Sequence, residues 1–317
     1  MNLDYNSLSS LKGDASYRKF FRKKYLNKTS IIIFCKKEKF KNLVVYESIN
    51  RILIKNKISA PKLINQNLKN NFIEIEDLGK NTIYEEFVKK KTDQKKIYKK
   101  IVKMLIKLQK IKTKKIKNLS LENYFVPIYN KKILTDEASL FLKWCVPEFY
   151  KGKKKKIIND LLKKNIKQAI EHLKLPNNTF VHRDFHVSNL IYNKNKISII
   201  DSQDALYGNP SYDLASLVDD VRFQTDMKTK NFIFDYFILN QKTKIDIENF
   251  KNDFQILSVL RNMKIIGIFI KLSKRDNKKK YLKLIPRAWR LINLRIKDNK
   301  NLTNLKKILQ IYFPKKL

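Results

Sequence analysis

Glycine is scarce in this chain, with only five in 317 residues, at positions 13, 79, 152, 208 and 267. Neither an internal repeat nor a linker rich in Gly, Pro or Ser is present. Cysteine is rarer still. Cys35 and Cys145 stand apart without metal-type spacing, and His172, His182 and His186 do not complete a zinc set. A structural zinc is therefore excluded, and a reducing compartment is expected. Long apolar runs are also missing. The first ten residues, MNLDYNSLSS, carry no basic region followed by an apolar stretch, and the segment 265–270 is fenced by Lys264 and Lys271. Both features argue against export and membrane spanning, so the expectation is a cytoplasmic protein with no membrane partner.

Acidic residues are outnumbered 29 to 70 by basic ones, for a formal net charge of +41. Such a charge by itself suggests nucleic acid or an anionic membrane as partner. The make-up of the charge argues otherwise. Only 10 of the 70 are Arg, the better residue for bidentate phosphate and base contacts. Lys is spread along the whole chain beside plentiful Asn and Ile, as a coding bias would leave it on a solvated surface. No specific nucleic-acid partner is expected. In such a background the few Gly and Arg that remain mark places where chemistry or backbone geometry demands them.

The chain is long enough, at 43% apolar content, to bury a sizeable core as one large domain or two modest lobes. Its opening third reads as strands at 17–25 and 30–35, a helix over 40–54, and two further strands at 62–67 and 71–76 around an Asn-rich turn. After Gly79 the pattern becomes helical. Ile97, Ile101, Met104, Leu105, Leu108 and Ile111 recur at three and four, marking one buried face. This outline predicts an α+β, two-lobed, protein-kinase-like fold. A small mixed-sheet N-lobe would cover 1–77 and a larger, mainly helical C-lobe 78–317.

The segment 181–213 carries the chemistry. His182-Arg183-Asp184, four residues, then Asn189 is the spacing of a kinase catalytic loop. A hairpin follows, 190–192 paired through a turn with 197–200, and ends at Asp201. Folding it brings Asn189 and Asp201 to one end of two paired strands, where an amide oxygen and a carboxylate suit a hard Mg2+ ion that also binds nucleotide phosphates. Asp184 would accept the proton of an attacking hydroxyl. Each element alone admits a structural reading, a cap or an ion pair; their conjunction points to phosphoryl transfer. His182 reads as a packed, hydrogen-bonded support. Asp213 opens an apolar helical run that it could cap, and is read as structural support. Gly13, Asp14, Ala15 and Ser16 form a Gly turn between two strands, where backbone amides cradle phosphate.

These residues resemble the aminoglycoside phosphotransferase/choline kinase superfamily and, within it, the bacterial anomeric sugar kinases that phosphorylate N-acetylmuramate and N-acetylglucosamine at C1. The resemblance spans nearly the whole chain. It rests on GDASYRKFFR at 13–22, EDLG at 76–79, LFLKW at 140–144, HRDFHVSNL at 182–190, DSQDALYGNPSYDLASL at 201–217 and KIIGIFIKLSKRDNKKKYL at 264–282. It implies that Asp184 is the base, that Asn189 and Asp201 bind Mg2+, and that Gly13, Asp14, Ala15 and Ser16 cover the ATP phosphates. The backbone around Glu76, Asp77 and Leu78 would receive adenine. The acceptor would be an N-acetyl amino sugar, and the role peptidoglycan recycling, with the sugar 1-phosphate feeding a later uridylyltransferase. In kinase-like folds the Asp at position 213 also braces the catalytic loop.

Three departures stand out. The strand 30–35 has no Lys in its apolar run, so the usual phosphate-pairing Lys with its helix Glu is not visible; Arg18 is the expected substitute. Ser202 stands where the group usually carries Phe, which implies looser packing beneath Asp201. Leu260 precedes Arg261 where Gln is expected. Arg222, Arg261 and Arg275 are candidates for substrate or phosphate contact, with structural ion pairs as the plainer alternative. Gln203 and Asp204, directly after Asp201, are candidates to face the sugar. Two rivals stay open at this level: the same chemistry on an aminoglycoside, choline or other small alcohol, and an inactive basic scaffold that binds nucleic acid.

Overall fold

The computed structural model describes residues 8–11, 18–36, 41–67, 69–90, 92–242 and 244–316. In chain order the elements are β1 (Leu8–Leu11), β2 (Lys19–Tyr25), β3 (Lys28–Phe34), α1 (Lys41–Lys55), β4 (Leu63–Asn67), β5 (Phe72–Glu76), α2 (Ile83–Val88) and α3 (Gln94–Gln109). Strands β6 (Lys115–Lys117) and β7 (Asn123–Phe125) lead to α4 (Lys131–Trp144), α5 (Gly152–Glu171) and β8 (Thr179–Val181). The hairpin β9 (Leu190–Asn193) and β10 (Lys196–Ile199) precedes β11 (Leu206–Gly208). Helices α6 (Tyr212–Val218), α7 (Met227–Leu239), α8 (Ile247–Asp276), α9 (Ile285–Ile296) and α10 (Thr303–Tyr312) follow. The result is the α+β outline expected, a small sheet with one helix and then a larger helical part. No helix among the described residues is long and apolar enough to cross a membrane.

The chain divides into two compact units, Met1–Pro127 with Val187–Ala205, and Ile128–His186 with Leu206–Leu317. In the first, five of the described strands form a sheet in the order β1-β2-β3-β5-β4, and β6–β7 and β9–β10 pair separately. β3 sits at its centre because the run IIIF supplies β-branched apolar side chains suited to a strand with neighbours on both sides. Every ladder is antiparallel, a narrower pattern than the mixed sheet expected from the strand–helix–strand order. The reason is that β4 runs parallel to β3 but two places away, at the edge, and β5 turns back between them. Helix α1 covers the sheet with Leu43 and Tyr46 against Ile33, Cys35, Ile73 and Ile75. Glu47 interrupts that apolar stripe and meets Arg51 Nη2 at 2.8 Å, one helical turn on.

The expected lobe boundary at 77/78 is not where the contacts divide. Helices α2 and α3 and the β9–β10 hairpin group with the sheet. Thr82 bridges Ile191, Tyr192 N donates to Asn81 O at 3.0 Å, and Ile199 N donates to Ser59 O at 2.8 Å, so the hairpin is clamped on both sides.

In the second unit α8 is buried over most of its length, from Phe250 to Leu272, and lacks a continuous polar face, as a central helix must. Helices α4, α6 and α9 pack on it. Its approach to α4 depends on Gly267. A Cβ there would overlap the Leu140 carbonyl group and lie 2.7 Å from Phe141 N, which are backbone atoms that cannot rotate away. Phe141, Trp289 and Phe313 then pack with ring centroids 5.5 Å apart.

Asp219, fully buried at the end of α6, ties this unit together. Its carboxylate accepts from Lys230 Nζ at 2.8 Å, Arg295 Nε at 2.8 Å and Ser258 Oγ at 2.6 Å, joining α6 to α7, α9 and α8. Burial pushes its pKa up, but Lys230 and Arg295 outweigh burial and hold it at about 2. A carboxylate depressed on folding adds stability above its unfolded value, and that stability is lost as pH falls through the folded one.

Two outcomes are expected. Gly267→Ala should lower stability by about 1–3 kcal/mol through overpacking, read as a fall in thermal midpoint; an unchanged midpoint would mean that the helices can separate at little cost. Asp219→Asn should cost about 3–5 kcal/mol by leaving buried cations uncompensated. In urea titrations from pH 5 to 2 it should also flatten the acid limb of stability below pH 4.

Candidate active site

In the second unit, β8 pairs with β11, Val181 opposite Leu206, and delivers the chain to His182-Arg183-Asp184. Arg183 adopts a left-handed backbone, φ 73°, which costs a side-chain-bearing residue of order 1 kcal/mol and needs support. Asp213 supplies it. Its carboxylate accepts from His182 N at 2.7 Å and Arg183 N at 2.9 Å. The capping expectation for Asp213 is corrected by this: Ser211 holds the N-cap position of α6, and the Asp213 carboxylate turns to the loop instead. Burial pushes Asp213 up to about 6, against the pull of His182 and the two amides. His182 is buried, its ring edge-on to Phe185 at 6.2 Å.

The Asp184 side chain is 43% exposed, and Arg261 Nη2 lies 3.7 Å from its Oδ1. Loss of solvent pushes its carboxyl up, but Lys264, then Arg261 and Arg222, hold it well below the usual carboxylate range. It is ionised at neutral pH. His186, whose N donates to Asp184 O at 3.0 Å, is driven well below the usual imidazole range by burial and by Arg222, so it stays neutral. Arg222 also stacks its guanidinium 5.9 Å from the Phe269 ring, and its N donates to Asp220 Oδ1 at 2.8 Å. Of the three Arg candidates, Arg222 and Arg261 thus act on Asp184. Arg275 does not join them; it is exposed and bonded to its neighbour Asp276 at 2.7 and 2.9 Å, which makes it an ion-pair residue.

In the first unit the β9–β10 hairpin closes with a two-residue turn, Lys194 and Asn195, both at positive φ (45° and 65°), the geometry of a primed turn. At its open end Leu190 pairs with Ile199, and Asn189 O accepts from Ile200 N at 3.0 Å. Asn189 and Asp201 therefore flank the same end of the hairpin. Asp201 also has a left-handed backbone, φ 62°, and a carboxylate 37% exposed. Its Oδ1 is ion-paired with Arg18 Nη2. One carboxylate and one amide form a hard-oxygen donor set, which fits Mg2+, an ion that keeps several waters and takes the rest of its shell from phosphates.

Arg18 is buried, lies 5.4 Å from the Phe20 ring and 5.5 Å from that of Tyr46, and donates from Nη1 to Gln203 Oε1 at 2.9 Å. The Gln203 oxygen thus accepts from Arg18, and its Nε2 donates to Asp204 Oδ2 at 3.2 Å. Asp204 is exposed. Ser202 does not loosen the packing. It is fully buried, and its Oγ donates to Asn50 Oδ1 at 2.6 Å, tethering the Asp201 segment to α1. Gly13, Asp14, Ala15 and Ser16 lie outside the described residues.

Glu76 N donates to Lys62 O at 2.8 Å. The Asp77 carboxylate is consumed internally, by Arg22 Nε at 2.6 Å and Gly79 N at 3.0 Å. Leu78 O accepts from Asn193 Nδ2 at 3.2 Å. Gly79, at φ 120°, has no space for a side chain, since a Cβ would lie 3.1 Å from that same amide.

Sequence reasoning missed Asn50, Arg22, Asp220 and Glu137. Glu137 stands on α4 between Leu134 and Ala138, both buried. In an acid-poor chain, a carboxylate on an apolar helix face is the signal that could have found it.

A β-sheet lobe, a helical lobe, a left-handed Arg before an ionised Asp, and an Asn/Asp pair at a hairpin end define a kinase-like phosphotransferase. Residues 48–237 match the Phosphotransferase enzyme family, APH. The chain belongs to that family and is an ATP-dependent phosphotransferase. It is similar to the N-acetylmuramate/N-acetylglucosamine kinase of Neisseria meningitidis serogroup B, at 25% identity over 86% of this chain and 81% of that protein. The kinase of the same name from Pseudomonas putida is also 25% identical, over 90% and 83%. Among solved structures, the gentamicin–APH(2'')-IIa complex superposes with a TM-score of 0.64 at 17% identity, over 91% of this chain and 96% of that one. Choline kinase LicA from Streptococcus pneumoniae gives 0.62 at 13% identity, over 91% and 93%. These structures share the two-lobed fold.

Removing the Arg18 guanidinium tests the nucleotide half. Arg18→Met should raise KM for ATP about 10- to 100-fold, the worth of one charge-assisted pair, and Arg18→Lys should fall between. Initial rates at varied ATP and fixed Mg2+ report this, and an unchanged KM would make the pair purely structural.

Proposed function

We propose that this phosphotransferase transfers the γ-phosphoryl group of ATP to the anomeric hydroxyl of N-acetylmuramate or N-acetylglucosamine, in the cytoplasm, as a step of peptidoglycan recycling. The observation that carries the acceptor is the match to N-acetylmuramate/N-acetylglucosamine kinases along 86–93% of the chain. The HRD spacing and the ionised Asp184 support the chemistry.

In this reading Asp184 orients the C1 hydroxyl. The hydroxyl oxygen bonds to the γ-phosphorus as the bond from that phosphorus to ADP breaks, and the proton passes to the Asp184 carboxylate. A carboxylate held so far below its usual range is a weak base. Weakness is tolerable because the transition state is loose and the proton leaves late, so positioning supplies most of the rate. Asn189 and Asp201 would hold Mg2+, which when bound neutralises phosphate charge. Arg18 orients Asp201. Gly13, Asp14, Ala15 and Ser16 would cover the phosphates, and the backbone at 76–78 would receive adenine.

Two measurements test the proposal. Purified protein with Mg-ATP should release ADP with N-acetylmuramate or N-acetylglucosamine and not with kanamycin or choline, and phosphorus NMR should identify a sugar 1-phosphate. Turnover with only kanamycin or choline would move the acceptor elsewhere in the family. Asp184→Ala should lower kcat by about 10²–10⁴-fold while ATP binding, followed by calorimetry, is retained; near-normal turnover in this variant would remove Asp184 as the base.

A further inference from the structure

Beside the loop, on α4, lies a carboxylate that no motif contains. The Glu137 side chain is 13% exposed and meets partners from four segments. Its Oε1 accepts from Arg183 Nη2 and, at 2.9 Å, from Lys264 Nζ on α8. Its Oε2 accepts from Tyr129 OH and, at 3.4 Å, from Tyr212 OH on α6. The Arg183 guanidinium also lies 5.3 Å from the Tyr129 ring.

We infer that Glu137 is a positioning residue for phosphoryl transfer: it clamps Arg183, and so the left-handed turn into Asp184, and it holds Lys264 away from the Asp184 carboxylate. The inference rests on the reading of Asp184 as the base.

Two physical points carry it. First, Arg183 has φ 73°, and Asp213 supports only the backbone of that turn. The side chain is anchored by Glu137, whose ion pair therefore decides which way the next residue, Asp184, faces. Second, Lys264 is shared. It is bonded to Glu137, and it is also the foremost cation acting on Asp184. Burial pushes the Lys264 ammonium down, yet Glu137, then Tyr212 and Asp184, raise it above its usual range. With the Glu137 charge gone, a buried ammonium keeps Asp184 as the acidic partner nearest to hand, and a carboxylate so paired neither orients a hydroxyl nor takes its proton.

Charge deletion and its compensation test this. Glu137→Gln should lower kcat about 10- to 100-fold, the range a misplaced reacting group produces, with KM for ATP unchanged. Adding Lys264→Met should recover a large part of the loss, because the cation released onto Asp184 is then gone. Glu137→Asp, which keeps the charge, should remain closer to the parent and guards against a fold that does not tolerate Gln. Wild-type kcat in Glu137→Gln overturns the inference. So does a loss, with an unchanged thermal midpoint, that Lys264→Met leaves unrelieved. Asp184→Asn is run alongside. If it keeps turnover, the base assignment fails and takes this inference with it; if it is inactive while Glu137→Gln is normal, the inference alone fails.

Discussion

Carboxylates are scarce in this chain and several are buried, and the physics of burying them organises the helical unit. An ionised carboxylate removed from water costs several kcal/mol unless cations and donors replace the lost solvation. Each buried acid here gathers more than one such partner: Glu137 with Arg183 and Lys264, Asp219 with Lys230 and Arg295, Asp213 with two loop amides. These are the places where helices distant in sequence are held in register, and two of the three lie against the loop that carries Asp184.

In the sheet unit Glu74 is likewise held by Ser30 and Lys23, and Asp77 by Arg22. Around Asp201 the contacts are Ser202 to Asn50, Arg18 to Gln203, and Arg18 to Asp201 itself. Substituting Ser for the expected Phe at 202 exchanges an apolar contact for a buried hydroxyl, and the structure meets its need by turning Asn50 of α1 towards it. Arg18 is the proposed substitute for the missing strand lysine. It is a cation beside the metal-binding candidate, while the helix carboxylate Glu47 turns to Arg51 on its own helix.

What could be read from the amino acids follows a rule of distance. The β9–β10 hairpin, with Asn189 and Asp201 at one end, was legible because ten consecutive residues of strand and turn dictate their own pairing. Helix α3 was legible from its spacing, and α1 nearly so, with Glu47 standing out as the break. The sheet order was less so, since the Asn-rich turn pairs β4 with β5 but nothing local says that β5, and not β4, lies beside β3. The partner of Gln203 was not legible, because nothing local reveals that Arg18, 185 residues earlier, donates to its amide oxygen.

The sequence by itself determined the class of chemistry, because the spacing from Asp184 to Asn189 to Asp201 is local and survives in a chain otherwise saturated with lysine. It also determined the hairpin that Asn189 and Asp201 flank. Only the tertiary structure decided which cations Asp184 lives among, that Asp213 does not cap its own helix, and that Glu137 belongs to the site at all. The physical reason is that electrostatics and close packing depend on distance in space: Lys264 and Glu137 are 127 residues apart in the chain and 2.9 Å apart in the fold.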